Sequence, residues 1–227
     1  MGDMTALDWV NPYMSARRQL ICGELARLIP SKDTVITSNG AASGKFFEWT
    51  GYTQAALESA WKANGFAKNE KGNWERTSGV AVTTSCEALI GKVFNRIEAA
   101  GMGKRKGGTT TFSLPGNDFY GREPATTPVG WHWYRERSDT VHPQPGDAFQ
   151  IGTPVKQGQW QHHHVGIITF WINDALPQWE TVEAGQGGPG SGYDSIKRKP
   201  LRLVDPVHKT DPKRVIMGWL NIDEHFG

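Results

Sequence analysis

The sequence has few cysteines, no long apolar run and little net charge. Two cysteines, Cys22 and Cys86, cannot build the disulfide framework of a small secreted domain, and they lack the spacing of a zinc module. No run of about 18 apolar residues occurs, which excludes a transmembrane helix. The formal net charge is only +2, too small to indicate nucleic-acid binding. We therefore expect no nucleic-acid partner, no membrane partner and no metal.

The N-terminal residues also lack the basic start and apolar stretch of a secretory signal peptide. We therefore expect synthesis in the cytoplasm with reduced thiols. Glycine and tryptophan are abundant, with 27 and 10 copies in 227 residues. The glycines indicate many turns, because Gly is costly inside helices. The hydrophobic fraction of 37% is that of a globular protein.

Helical periodicity comes first in the chain and strand periodicity follows. Apolar residues recur at helical spacing in residues 14–29 and 53–64, and the glycine-rich segment 38–47 between them predicts a turn. The best-defined helix begins with a capping box of Thr84 and Glu87. Alternating patterns then predict four strands, in residues 147–151, 163–172, 179–184 and 215–222. This order predicts an α+β fold.

The two cysteines differ in their surroundings. Cys22 lies on an apolar helix, where a small buried side chain is the simpler interpretation and a reactive thiol the alternative. Cys86 lies two positions after Thr84, in the first turn of its predicted helix. Free N–H groups and the helix dipole there favour a thiolate and can stabilise an oxyanion beside it. A structural cysteine at a helix start remains the alternative.

A thiolate nucleophile needs a base, and the base needs an acceptor that orients it. Three consecutive histidines begin a predicted strand, in which alternation turns His162 and His164 one way and His163 the other. A metal-binding pair is disfavoured, since no Cys or carboxylate follows at ligand spacing. Glu183 ends the next predicted strand and can orient the imidazole of His164, and Gln186 can replace or assist it.

This layout resembles papain-like cell-wall hydrolases, namely the NlpC-type peptidases and the CHAP domains (cysteine, histidine-dependent amidohydrolases/peptidases). The resemblance is carried by Cys86 in TTSCEALI, PQPGD at 143–147, HVGI at 164–167 and Glu183 in VEAGQ. Together, in this order, these elements are moderately specific for the family. They cover residues 76–222.

The chain departs from the family pattern around the nucleophile and at the third position. NlpC-type enzymes usually have Asp-Cys-Ser where this chain has Ser85-Cys86-Glu87. They often use a second His as the third residue, whereas CHAP domains use Glu followed shortly by Asn. Here Glu183 is followed by Gln186, so either of these two is the candidate for the third position.

The resemblance implies a papain-like fold, with the nucleophile helix packed on an antiparallel sheet. The hydrolase domain would span residues 76–227, behind an N-terminal helical extension of residues 1–75. The implied activity is cofactor-free hydrolysis of an amide bond in peptidoglycan. Its site residues would be the nucleophile Cys86, the proton shuttle His164 and the orienting Glu183, with Ser85 and Gln186 as oxyanion or orienting support.

Several further expectations follow from the composition and the resemblance. Trp131, Trp133 and Trp160 can line a substrate groove, although core packing explains most tryptophans as well. Without a signal peptide, such an enzyme would leave its cell by lysis or through a dedicated machine and act in the periplasm or wall of a target bacterium. A type VI secretion effector with an immunity protein is favoured over a phage endolysin. A cysteine acyltransferase or deamidase acting on protein, and a non-catalytic glycan-binding module, remain alternatives.

Overall fold

The computed structural model of the 227-residue chain describes most of the sequence. It covers residues 10, 12–63, 65–77, 85–106, 127–136, 138, 140–156, 159–171, 178–186, 192–203 and 215–227. The predicted capping box lies outside the described residues because Thr84 does. The side chains of Trp160, His162 and His163 lie outside them as well.

An antiparallel sheet dominates the described part of the chain. The strands there are β1 (Val35–Thr37), β2 (Phe66–Lys68), β3 (Trp74–Arg76), β4 (Trp131–Trp133), β5 (Ala148–Lys156), β6 (Gln159–Trp171), β7 (Gln178–Glu183), β8 (Ser195–Leu203) and β9 (Val215–Leu220). Strands β2 and β3 form a separate hairpin. The other seven form one sheet in the order β1-β8-β7-β6-β5-β9-β4, and each neighbouring pair is antiparallel.

The helices of the described residues are α1 (Ala16–Leu28), α2 (Ser43–Thr50), α3 (Gln54–Ala63), α4 (Cys86–Ala99) and α5 (Ile222–His225). No helix in this part of the chain is long and apolar enough to cross a membrane. The fold is α+β with a mostly antiparallel sheet, as the order of periodic segments predicts. The turn predicted for residues 38–47 is wrong from Ser43 onwards, because α2 begins there. Gly51, the residue after the helix, has the left-handed conformation that commonly ends a helix.

The helix α4 packs its apolar stripe on the central strands. Leu89, Ile90 and Val93 of this helix share one buried cluster with Val165 and Val182 of the sheet. The cluster also contains residues of α1 and β1, which precede the predicted boundary at residue 76. The first part of the chain therefore contributes to the same core that supports α4.

A buried arginine joins three distant segments of the chain. Arg18 of α1 donates to the carboxylate of Asp147 at 2.8 Å, to that of Asp223 at 2.6 Å and to the carbonyl of Pro145 at 2.8 Å. Asp147, from the PQPGD turn, is fully buried. Burial raises the pKa of Asp147 to about 6, although Arg18 opposes this effect. The turn before β5 is thus held by an ion pair that needs both partners.

We expect Arg18→Met to lower the free energy of unfolding by about 3–5 kcal/mol, because the change leaves Asp147 buried without its partner. Denaturant titration followed by circular dichroism measures the loss. Arg27→Met is the matched control on the same helix, because Arg27 is exposed, and it should cost less than about 0.5 kcal/mol. Equal losses in the two variants would contradict the importance of the buried pair.

Candidate active site

The predicted nucleophile, base and acceptor lie together where α4 begins and β7 ends. Cys86 is the first residue of α4, and its side chain interacts with His164 of β6 and raises the pKa of that imidazole. Nε2 of His164 lies 2.8 Å from Oε2 of Glu183, the last residue of β7. Because Glu183 occupies Nε2, Nδ1 is the ring nitrogen left to exchange a proton with the thiol.

The helix start differs by one position from its predicted place. Ser85 is the residue before the helix and Cys86 is its first residue, whereas the capping box predicts that Cys86 is the second. The functional consequence is small, because the N–H groups of the whole first turn have no acceptor within the helix. Cys86 thus keeps the position at a helix head that favours an anion.

The imidazole of His164 binds its proton tightly in this position. Its side chain is 16% exposed, while that of Glu183 is 0% exposed. Burial lowers the pKa of His164, but hydrogen bonds with Cys86 and Glu183, together with the charges of both, raise it to about 9. The imidazole therefore carries a proton at neutral pH, which it can deliver to a leaving group.

Gly166 leaves the space through which the side chain of Glu183 reaches His164. Ile167 of β6 pairs with Val182 of β7, so the same register continued by one residue brings Gly166 next to Glu183. Gly166 lies two residues from His164, on the same face of β6. A Cβ at Gly166 would lie 2.7 Å from Cγ of Glu183 and 2.8 Å from the ring of Phe149. The Glu183 side chain therefore uses the space that a side chain at Gly166 would fill. This is the physical role of the glycine in the HVGI motif.

Both oxygens of Glu183 are held by neighbouring donors. Oε1 accepts a hydrogen bond from the hydroxyl of Thr181 at 2.6 Å. Oε2 accepts from the amide of Gln186 at 3.2 Å, in addition to its contact with His164. The amide nitrogen of Gln186 also lies 3.2 Å from Nε2 of His164. Both candidates for the third position therefore contact the imidazole, and the carboxylate of Glu183 is the one that accepts its N–H.

Asp194 holds the head of α4 through hydrogen bonds, and no sequence pattern indicates it as a site residue. Oδ2 of this buried carboxylate accepts from the hydroxyl of Ser85 at 2.7 Å and from its backbone N–H at 3.3 Å. The hydroxyl of Ser85 in turn accepts from the N–H of Gly185 at 3.1 Å. Both polar groups of Ser85 are thereby engaged, so its contacts favour the orienting role over the oxyanion role. Ser85 and Asp194 are 109 positions apart, and no local pattern connects them.

Tyr52 is a second residue near the site that no sequence pattern indicates. It follows α2 and is partly buried. Burial and the charges of Cys86, Asp194 and Glu87 raise the pKa of Tyr52. Its phenol is therefore protonated at neutral pH and can donate a hydrogen bond near the thiol. The residues preceding position 76 thus reach the surroundings of the site.

The tryptophans predicted for a substrate groove are placed differently. Trp131 and Trp133 lie on the edge strand β4, with 7% and 9% exposure, and contact each other edge to face. Strands β5 and β9 separate them from β6. Core packing, the alternative that the sequence leaves open, describes both side chains. The side chain of Trp160 lies outside the described residues.

The remaining candidates are also accounted for where the structure describes them. Cys22 is fully buried, and burial raises its pKa to about 12, which makes it unreactive. Within the described ranges, no three His, Cys, Asp or Glu side chains converge as metal ligands.

At the histidine run, Ile151 pairs with His164 while Gly152 pairs with His162. The ladder register therefore shifts by one residue at His163. The predicted alternation of the histidine side chains stays a prediction, because those of His162 and His163 lie outside the described residues.

Comparisons with known proteins identify no family for this chain. No family model, no curated protein and no solved structure matches it. The chemistry of the site must therefore be inferred from its own geometry and from the residues of its motifs.

We expect Gly166→Ala to displace Glu183 and to lower the free energy of unfolding by about 1–3 kcal/mol, because the new methyl group has no room. The pKa of His164 should fall from about 9 towards its ordinary value as the carboxylate moves away. An NMR titration of the His164 ring protons measures this shift. Gly44→Ala is the control, since a Cβ there meets nothing within 4 Å, and it should leave the titration unchanged.

A pH dependence of stability also follows from His164. The folded state binds the imidazole proton more tightly than the unfolded state, so this stabilisation is complete below the ordinary pKa of 6.5 and is lost as the pH rises towards 9. We expect the free energy of unfolding to fall across this window, and to fall less in Glu183→Gln. Denaturant titrations at several pH values measure both slopes. Identical slopes would show that Glu183 does not hold the proton.

Proposed function

We propose that this protein is a cysteine hydrolase that cleaves an amide bond of bacterial peptidoglycan, with a papain-like arrangement of its catalytic side chains. The observation that carries the proposal is the position of His164 between Cys86 and the fully buried Glu183. A carboxylate without exposed surface, bonded to a histidine that faces a thiol, is the arrangement that nucleophilic catalysis by cysteine requires.

The proposed reaction has two steps. The sulfur of Cys86 attacks the carbonyl carbon, and the amide C–N bond breaks as His164 gives its proton to the departing nitrogen. His164 then takes a proton from water, whose oxygen attacks the thioester, so that the C–S bond breaks and a carboxylic acid is released. The backbone N–H of Cys86, at the head of α4, can stabilise the oxyanion in both steps. Glu183 holds the imidazole in place throughout.

The motif residues support the likeness to cell-wall hydrolases. Gly166 of HVGI leaves the space that Glu183 occupies, and Asp147 of PQPGD anchors the turn before β5 through Arg18. The residues that suggest the family thus serve the candidate triad and its scaffold. Within the proposal, the substrate is the wall of a rival bacterium. An immunity protein that covers Cys86 would protect the producing cell.

We expect Cys86→Ala and His164→Ala each to lower the release of soluble fragments from purified peptidoglycan sacculi by at least about 10³-fold, because each removes a participant in both steps. Cys22→Ala is the matched control and should retain activity, since Cys22 is buried and unreactive. Mass spectrometry of the digest measures the activity and identifies the cleaved bond.

Full activity of Cys86→Ala on sacculi would exclude Cys86 as the nucleophile. Intact sacculi with the unmodified protein would exclude the proposed substrate. If the protein leaves sacculi intact but changes the mass of an acceptor protein, the reaction of Cys86 is acyl transfer or deamidation instead of wall hydrolysis.

A further inference from the structure

Asp194 is a buried carboxylate that the proposed reaction does not use. It lies before β8, and its three described hydrogen-bond contacts come from donors: the N–H and the hydroxyl of Ser85, and the N–H of Ser195 at 2.7 Å. The hydroxyl of Ser85 is free to donate because its lone pair accepts from Gly185. A carboxyl group that meets only donors is suited to the ionised form. Asp194 is therefore a fixed negative charge within the core.

The main chain of Asp194, like its side chain, is held by hydrogen bonds. Its N–H donates to the hydroxyl of Ser38 at 2.9 Å, and its carbonyl accepts from the N–H of Ser38 at 2.8 Å. Ser38 directly follows β1, so the edge of the sheet holds Asp194 from one side. Ser85, at the head of α4, holds it from the other side. The charge therefore has a defined position relative to Cys86, the next residue after Ser85.

The titratable groups around Asp194 come from four places in the fold. The pKa of Asp194 is raised, because burial outweighs the opposing effects of its hydrogen bonds and of the charge of His164. His164 from β6 and Tyr52 after α2 interact electrostatically with Asp194. Tyr52 also interacts with Cys86 and Glu87 of α4, and His164 is bonded to Glu183 of β7. His164 is the one cation among these described groups. A negative charge at Asp194 favours its imidazolium form.

We propose that Asp194 is a positioning residue of the site, which fixes the head of α4 through Ser85 and holds a buried negative charge that favours the imidazolium of His164. This inference rests on the proposed role of Cys86 as nucleophile. Its consequence is that Cys86 is held in place beside a protonated His164. The sulfur and the proton donor are then ready together when a substrate arrives.

The test is the NMR titration of the His164 ring in the full chain, measured together with the rate of alkylation of Cys86 by iodoacetamide. Asp194→Asn removes the charge and nearly preserves the shape. We expect the midpoint of the His164 titration to move down by about half a pH unit, because the imidazolium loses a negative neighbour. The alkylation rate, followed by peptide mass spectrometry that separates Cys86 from Cys22, should change by less than about two-fold, because the amide oxygen of Asn can still accept from Ser85. A purely structural role would change the alkylation rate without moving the His164 titration to lower pH.

Two further variants keep the test decisive. Ser85→Ala removes the hydroxyl that lowers the pKa of Asp194, so it weakens the same negative charge. The midpoint of the His164 titration should therefore move to lower pH, by less than in Asp194→Asn. This variant also tests the proposal if Asp194→Asn fails to fold. Asp33→Asn is the matched control, because Asp33 is exposed and its charge is screened by water and salt. Its midpoint should stay unchanged.

Neither measurement needs a wall substrate, so a failure of this proposal can be told from a failure of the proposed function. Shifts of the His164 midpoint to lower pH in both Asp194→Asn and Ser85→Ala support the role of Asp194, even if sacculi stay intact and the proposed function falls. An unshifted midpoint in a folded Asp194→Asn overturns the role, even if the unmodified protein digests sacculi. A shift to higher pH or no shift in Ser85→Ala overturns it as well.

Discussion

The hydrogen bond between Glu183 and His164 is the constraint on which the site depends. Glu183 has no exposed surface, and a buried carboxylate is unfavourable unless donors and a positive charge compensate it. The surroundings supply both: Thr181 and Gln186 donate to the carboxylate, and His164 supplies the charge. The carboxylate reaches the imidazole because Gly166 leaves the intervening position empty. The pKa of His164 is raised by its interactions with Cys86 and with this carboxylate, which together outweigh the effect of burial.

The position of α4 is set by polar contacts at its head as much as by its apolar stripe. Asp194 binds Ser85, and Ser85 binds Gly185, so the helix start, the end of β7 and the start of β8 form one unit. Ser38 links this unit to β1. The apolar residues of α4 are buried in the core, where packing contacts have no directional preference. Directional hydrogen bonds are what hold a sulfur within reach of an imidazole.

The elements with strong local periodicity could be predicted, and those shaped by neighbours could not. The helices α1, α3 and α4 and the strands β5, β6, β7 and β9 follow from apolar spacing. The strand β8 was missed because its residues SIKRKPLRL are largely cationic, and it is stable in the sheet partly because Arg198 pairs with the buried Glu180 at 2.6 Å. Likewise, the register of β5 and β6 shifts by one residue at His163, and no local pattern indicates this shift.

The sequence by itself determined that a cysteine begins a helix and that a histidine and a glutamate lie on successive strands, because spacing and turn residues act locally. The candidate triad could therefore be named before the fold was known. Only the tertiary structure decided that Asp194 holds Ser85, that Gly166 makes room for Glu183 and that Trp131 and Trp133 belong to the core. These contacts depend on strand order and register, which bring together residues far apart in the chain and which no local pattern encodes.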